Sequence, residues 1–384
     1  MPGWHEQTLK LQQEGRLAMA GIVQEQHPDR ARLFMQWKRM DWPILVDSLN
    51  LLGVQVVPLT VAIDEHGIVR ATGIKLADAA RFAEEFVNTS YPAPAVLVVP
   101  PPPPDLHATS PRASADDVFL WGGIGRVSEV IASYRKIRDA DAPVLFRLGV
   151  AYRARYDSPH REPGDFQAAV DHWQQALDLN PNQYIWRRRI QQYGPRLDKP
   201  YPFYDWVPAA RREIRERGEE PAPLVVEPGG AEFASPAKQL QAAAGPAEPD
   251  PGGRIHRDEM PFVLVEQTVV PPAVAPGATG RVHLVFRPNT ARQAHWNNEA
   301  GDLVVWVQTP DGWEIDPRRL TVPNPPLEVS LEPRQVEFEF RVPTGAAEGD
   351  TRVAAYALYY VCEDENGVCL YRRQDLQVRI AVAR

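Results

Sequence analysis

Five consecutive prolines at 100–104 constrain this chain more than any other feature, because proline supplies no backbone donor and fixes φ. Such a run adopts an extended polyproline II spacer and cannot enter a helix or a sheet ladder. A second break lies at 219–253, rich in Pro, Ala, Gly and Glu and poor in large apolar side chains, a composition expected to be mostly disordered. The 39 prolines are about twice the average usage and concentrate in such stretches. The chain therefore reads as modules on stiff tethers: 1–90, a Pro-rich linker at 91–115, a helical segment at 116–218, a disordered linker at 219–256, and a strand-rich module at 257–384. An SH3-type ligand role for the proline run ranks below a plain spacer.

Of the 384 residues, 44% are hydrophobic and 24% charged, enough for two or three domains with proper cores. A net charge of −8 and a pI near 5.7 disfavour nucleic acid as a partner. The one tight basic run, Arg187-Arg188-Arg189, reads as a solvated helix face or as internal ion-pair donors before it reads as an anion site. No run of about 18 apolar residues exists, so no membrane span is expected. No basic segment followed by an apolar one opens the chain, which leaves the cytoplasm as the default compartment.

In the first ninety residues the patterning predicts a helix from Trp4 to Glu14, a strand over 17–23, and a helix over 28–38 with Pro28 in its first turn. Strands over 59–63 and 68–72 flank the polar turn Asp64-Glu65-His66-Gly67, and Ala77, Ala80, Phe82, Ala83 and Phe86 mark an amphipathic closing helix. This order around Val57-Pro58 resembles the second half of a thioredoxin-like domain of the redoxin type, the alkyl hydroperoxide reductase and thiol-specific antioxidant group. The resemblance implies an α/β fold, a cis Pro58, and a peptide-binding edge at Val57 and Pro58. The family carries its redox cysteines at the start of the first helix, where the helix dipole favours a thiolate. Here Pro2 and Gly3 match the spacing while Met1 and Trp4 stand at the cysteine positions, so this site is read as catalytically degenerate. Family members also place a central strand before that helix. We expect either an N-terminal truncation, which would open a periplasmic or extracellular location, or replacement of that strand by the apolar run at 95–99.

Residues 116–217 read as helical, with helices over 118–140 and 184–193. Leu145, Leu148, Gly149 and Tyr152 followed by Phe166, Ala169, Trp173, Ala176 and Pro181 resemble one tetratricopeptide repeat with a turn lengthened around residues 157–164. Tyr201, Phe203, Tyr204 and Trp206 are expected to cap the end of this helical stack, with peptide binding in a groove as the alternative.

From Phe262 onward strict alternation takes over, as in Val282-Leu284-Phe286, Val336-Phe338-Phe340 and Ala355-Ala357-Tyr359, which predicts a β-sandwich. Phe286-Arg287-Pro288 with His295-Trp296-Asn297, the run 310–314, and Tyr359-Tyr360-Val361-Cys362 through Cys369-Leu370 are similar to the immunoglobulin-like N-terminal domain of the membrane thiol:disulfide interchange reductases. In that family two cysteines near the last hairpin form the exchanging pair, which makes Cys362 and Cys369 the candidate catalytic residues.

These are the only cysteines, and Asn366-Gly367 between them is a reversal signal that lets the thiols meet. Glu363, Asp364 and Glu365 should raise a thiol pKa. A structural staple, a redox-active pair and two free thiols all remain open. His295 reads first as a buried, satisfied side chain and second as part of a polar network. No cofactor motif, metal-ligand spacing or Ser/His/Asp order stands out, so no cofactor is expected. The expected function is a redoxin-family protein related to thiol-disulfide oxidoreductases, acting with a redox partner protein. The alternative is a non-enzymatic adaptor binding peptides or proteins.

Overall fold

The computed structural model describes residues 1–95, 111–199, 202–234, 246–363 and 367–383. The proline spacer at 100–104, all of the apolar run at 95–99 except Ala95, Tyr201, and residues 364–366 lie outside the described residues. The fold mixes helix and sheet, with a helical region and a strand-rich C-terminal region. It divides into two compact units: Met1–His160, Gln175–Arg189 and Pro202–Pro228 in the first, Arg161–Gln174, Ile190–Tyr201 and Gly229–Arg384 in the second.

The first unit begins with α1 (Pro2–Gln13), β1 (Gly21–Val23), α2 (Pro28–Lys38), β2 (Ile44–Val46), β3 (Val61–Ile63), β4 (Val69–Thr72) and α3 (Ala79–Asn88). Strands β1 and β2 pair in parallel, and β3 and β4 pair antiparallel, as two separate two-stranded sheets. Asp64 locks the β3–β4 turn by accepting from the His66 and Ile68 amides (both 2.9 Å) and from Arg70 Nε (2.6 Å). Burial pulls the Asp64 carboxyl upward, yet these donors, the Ile68 amide foremost, hold it below its ordinary value.

Helices α4 (Pro111–Trp121), α5 (Val127–Arg135) and α6 (Ala142–Tyr156) follow, then α7 (Asp165–Leu179), α8 (Tyr184–Gln191) and α9 (Val207–Glu216). The single helix expected over 118–140 is broken at Gly122-Gly123: Gly123 takes φ +75°, and a Cβ at Gly122 would stand 2.5 Å from the Val118 carbonyl. Asp141 caps α6 by accepting from the Val144 amide (3.0 Å), and Val118, Val130, Ile131, Tyr134, Val144 and Leu148 form the core of α4, α5 and α6.

Two expectations change around α2. Tyr204 and Trp206 do not cap the helical stack. They pack on α2, with Trp206 stacked on Trp37 at 5.7 Å and edge-on to Phe34 at 5.0 Å, beside Leu33, Val207 and Ile214. The stretch after α9 is pinned rather than loose where it is described. Ala222 N donates to Gln36 Oε1 (2.8 Å), Gln36 Nε2 to the Glu220 carbonyl (2.9 Å), and Val225 N to Asp29 Oδ2 (2.6 Å). The arginine run acts internally: Arg189, 1% exposed, donates to Gln26 Oε1 (2.5 Å) and the Gln24 carbonyl (2.9 Å), and Arg188 lies over the Phe203 ring.

The second unit holds two sheets. One orders β10 (Glu314–Asp316), β13 (Arg334–Arg341), β7 (Thr279–Pro288) and β5 (Val263–Val270). The other orders β11 (Arg319–Val322), β9 (Leu303–Val307), β14 (Gly349–Glu363), β15 (Val368–Val382) and β6 (Ala273–Val274), with β8 (Ala294–Asn297) pairing both β14 and β12 (Val329–Ser330). Inner residues of both sheets, among them Val282, Leu284, Phe286, Trp296, Val305, Phe338, Phe340, Tyr359 and Val361, form one core.

The other face of the four-stranded sheet is also covered. His283 is 3% exposed between the Glu337 carboxylate (Nδ1 at 2.9 Å) and the Tyr193 carbonyl (Nε2 at 2.7 Å). Arg281 pairs with Glu337 and Glu339, and Arg196 reaches Glu339 at 3.2 Å. Phe166 packs against His283 and Tyr193 and so serves a helix-on-sheet contact, while Trp173 stacks on Tyr193.

Candidate functional site

Strands β14 and β15 form a hairpin of 15 residues a side without a proline, the longest ladder among the described residues. Along β14 the odd positions Val353, Ala355, Ala357, Tyr359 and Val361 enter the core, so alternation places Tyr356, Leu358, Tyr360 and Cys362 on the outer face. Cys362 and Cys369 are register partners with a Cα–Cα separation of 4.1 Å, and a disulfide joins them. The two sulfurs differ in access: Cys362 is 5% exposed, whereas Cys369 is exposed.

On its other side β14 pairs with β8, where His295 is the partner of Cys362. So His295, Cys362 and Cys369 form one row across β8, β14 and β15. The short Cα separation of the cysteines is that of a non-hydrogen-bonded pair, which turns the Cys362 amide and carbonyl toward His295. One row down, Tyr360 and Tyr371 stack at 4.4 Å, and burial, then the neighbouring Tyr360, pushes the Tyr371 hydroxyl above its ordinary value. Glu363, whose charge would oppose a thiolate, is paired with Arg292 at 3.3 Å. Chemically the row offers an accessible sulfur bonded to a shielded one, with an imidazole beside the shielded one. Sequence spacing brings the two cysteines together. It does not reveal the His295 register, since that depends on which strand flanks β14.

Val57-Pro58 belongs to the first unit and is a cis peptide bond, with both residues exposed. It precedes Thr60, whose carbonyl accepts from Gly73 N (2.8 Å) and whose hydroxyl donates to the Ile74 carbonyl (2.8 Å). Around it Val56, Leu59, Val61, Ile63 and Val69 are all more than 40% exposed, and on the other strand pair the register partners Ile22 and Leu45 are 47% and 58% exposed. No thiol accompanies them: Met1 and Trp4 open α1, where the Trp4 amide donates to the Met1 carbonyl.

A cleft of about 200 Å³ on the outer face of the second unit escapes sequence reading. It is lined by Trp306, Tyr356, Arg373 and Asp375 and by Glu248 from the preceding segment. Arg373 lies 3.6 Å over the Tyr356 ring and donates to Asp250 Oδ2 (2.9 Å), while its amide donates to the His256 carbonyl (3.0 Å). Burial, ahead of the charges nearby, pushes the Tyr356 hydroxyl up to about 12. The described part of the expected 219–256 linker is thus tied down here too.

Among the described residues no group of His, Cys, Asp and Glu side chains could hold a metal ion, and no helix is long and apolar enough to cross a membrane. No family model matches the chain, and no curated protein does. Similar solved structures include a protein of unknown function from Porphyromonas gingivalis W83, 20% identical over 32% of this chain and 48% of that one, with a TM-score of 0.19. The sporulation control protein Spo0M from Bacillus subtilis is 17% identical over 33% of this chain and 51% of its own, with a TM-score of 0.17. AvmM, which catalyses macrocyclization in alchivemycin A biosynthesis, is 13% identical over 34% of this chain and 96% of its own, at 0.19. The chain thus spans about half the length of the first and the Bacillus structures, and similarities at this level carry no argument about fold or activity.

Proposed function

We propose that this protein is a thiol-disulfide exchange module in which Cys362 and Cys369 are the working pair. The carrying observation is the asymmetry of the bond: an exposed Cys369 tied to a shielded Cys362 at the end of the β14–β15 hairpin. An incoming thiolate needs access to only one sulfur, and the shielded one then serves as the leaving group. On this reading the second unit is an immunoglobulin-like exchange domain and the partner is a protein carrying a dithiol or disulfide. The first unit is a redoxin-type thioredoxin-like region without cysteines, whose Val57-Pro58 edge meets peptide backbone.

The test is thiol-dependent reduction of insulin by the native chain and by the Cys362→Ser/Cys369→Ser double variant. Turnover above background that the double variant lacks supports the reading. A double variant as active as the native chain overturns it, as does a disulfide that yields to reductant only after the chain unfolds.

The exposed apolar side chains of the two-stranded sheets favour a second reading, an adaptor that binds peptides or proteins through the first unit. It predicts peptide capture that is unchanged in the double cysteine variant and weakened by Val57→Asp.

A further inference from the structure

We infer that His295 is the acid–base partner of Cys362, giving a proton to its sulfur when the disulfide opens and taking one back when it closes. The inference rests on the exchange reading above and adds to it a direction of attack and a third residue. Three observations carry it. His295 is the register partner of Cys362 on the strand opposite Cys369, so both side chains leave the sheet on the same face. Directly opposed residues have Cβ atoms about 5 Å apart, so the two side chains are neighbours on that face. Finally, His295 and Cys362 are both shielded, at 9% and 5% exposure, whereas Cys369 is open. A thiolate expelled at Cys362 is therefore cut off from the water that would otherwise protonate it.

The step balances as follows. A thiolate of an external dithiol attacks Sγ of Cys369, forming a mixed disulfide and breaking the Cys369–Cys362 bond. The electron pair leaves on Cys362 Sγ, which takes the proton of the His295 imidazolium. The second thiolate of the donor then attacks its own sulfur in the mixed disulfide and frees Cys369. The donor ends as a disulfide and the protein as a dithiol.

Among the described residues, Tyr360 and Cys362 of β14 share the face of His295, while Glu363, on the opposite face by alternation, is paired with Arg292 from the turn before β8. Strand β12, on the far side of β8, contains only Val329 and Ser330.

The experiment measures reduction of the native disulfide by dithiothreitol from about pH 5 to about pH 8, with rates normalised to the thiolate concentration, in the wild-type chain and in His295→Gln. The expected result is a wild-type rate that falls as pH rises across that interval and a flat profile in the variant, slower by about tenfold or more at the acid end. Equal, flat profiles overturn the role of His295 and leave the exchange reading standing. A disulfide that resists dithiothreitol until the fold is lost overturns both. A second measurement needs no substitution at 295: in Cys369→Ser, which keeps His295, alkylation of Cys362 should follow a thiol pKa below the ordinary cysteine value, and a pKa at or above that value overturns the inference.

Discussion

The strand pairs of the first unit and the sheets of the second use the same β-branched and aliphatic residues, yet they treat them in opposite ways. Ile22, Leu45, Val61, Ile63 and Val69 lie in strands of three or four residues and remain roughly half exposed. Val282, Leu284, Val305, Phe338 and Val361 lie in strands of up to 15 residues and are at most 1% exposed. Burial follows from the partner layer rather than from the residue type: a two-stranded sheet offers no second sheet to pack against, whereas the sandwich closes its inner faces on each other. The first unit buries apolar surface instead through helix contacts, such as Leu33, Trp37 and Trp206.

The sharpest way to break this contrast is Trp296→Ala. That ring is fully buried, lies under Arg334 at 4.2 Å, and donates from Nε1 to the Glu332 carbonyl (2.9 Å), so its loss should cost about 3–5 kcal/mol in denaturant unfolding of the second unit. Reducing the Cys362–Cys369 bond comes next. Opening a loop this short should lower the stability of the same unit by about 2.5 kcal/mol in the entropic model, read from the denaturation midpoint with and without reductant.

A smaller effect separates the units by pH. His27 is buried in the first unit, and desolvation, then Arg153, Arg30 and Arg189, holds its pKa well below the ordinary imidazole value. The unfolded chain takes up a proton near pH 6.5 where the folded chain does not. Stability is therefore complete above that pH and falls by about 1.4 kcal/mol per unit below it, down to the folded pKa. Asp157, raised by burial, acts in the opposite sense at lower pH, because there the folded chain binds its proton first. Denaturation between about pH 6.5 and about pH 5 should show the loss in the wild type and not in His27→Gln. The smallest change is expected for Ile63→Ser, which should shift stability by less than about 0.5 kcal/mol because that side chain is 54% exposed. A large loss there would mean that the strand pairs are covered after all.

Much of this was readable in advance. Pro28 at the first turn fixes the start of α2, and the alternation after Phe262 marks the strands of the sandwich. The loop of six residues between the cysteines, with its Asn366-Gly367 signal, anticipates their pairing. What escaped has one physical cause in common, namely polar contacts between residues distant in sequence. Alternation marks Val336, Phe338 and Phe340 as one face of a strand but gives no sign that Glu339 meets Arg196, 143 residues away, or that His283 meets Tyr193, 90 residues away. The 219–234 stretch looks unstructured by composition, since what holds it is backbone amides and carbonyls meeting Gln36 and Asp29. Within the candidate site the cysteines were legible and the place of His295 was not, because strand order is a tertiary property.

The covered outer face of the four-stranded sheet also bears on how faithfully the chain finds its pairing. Along β13, Val336, Phe338 and Phe340 face apolar neighbours while Glu337 and Glu339 face guanidinium groups and an imidazole. A shift of β13 by one residue against β7 would exchange the two sets, driving two carboxylates into hydrocarbon and setting two phenyl rings against stranded arginines. A sheet with one wet face would oppose that shift less strongly. Here both faces of the strand disfavour the same shifted alignment, so the charged layer specifies register as well as making a contact in the finished fold.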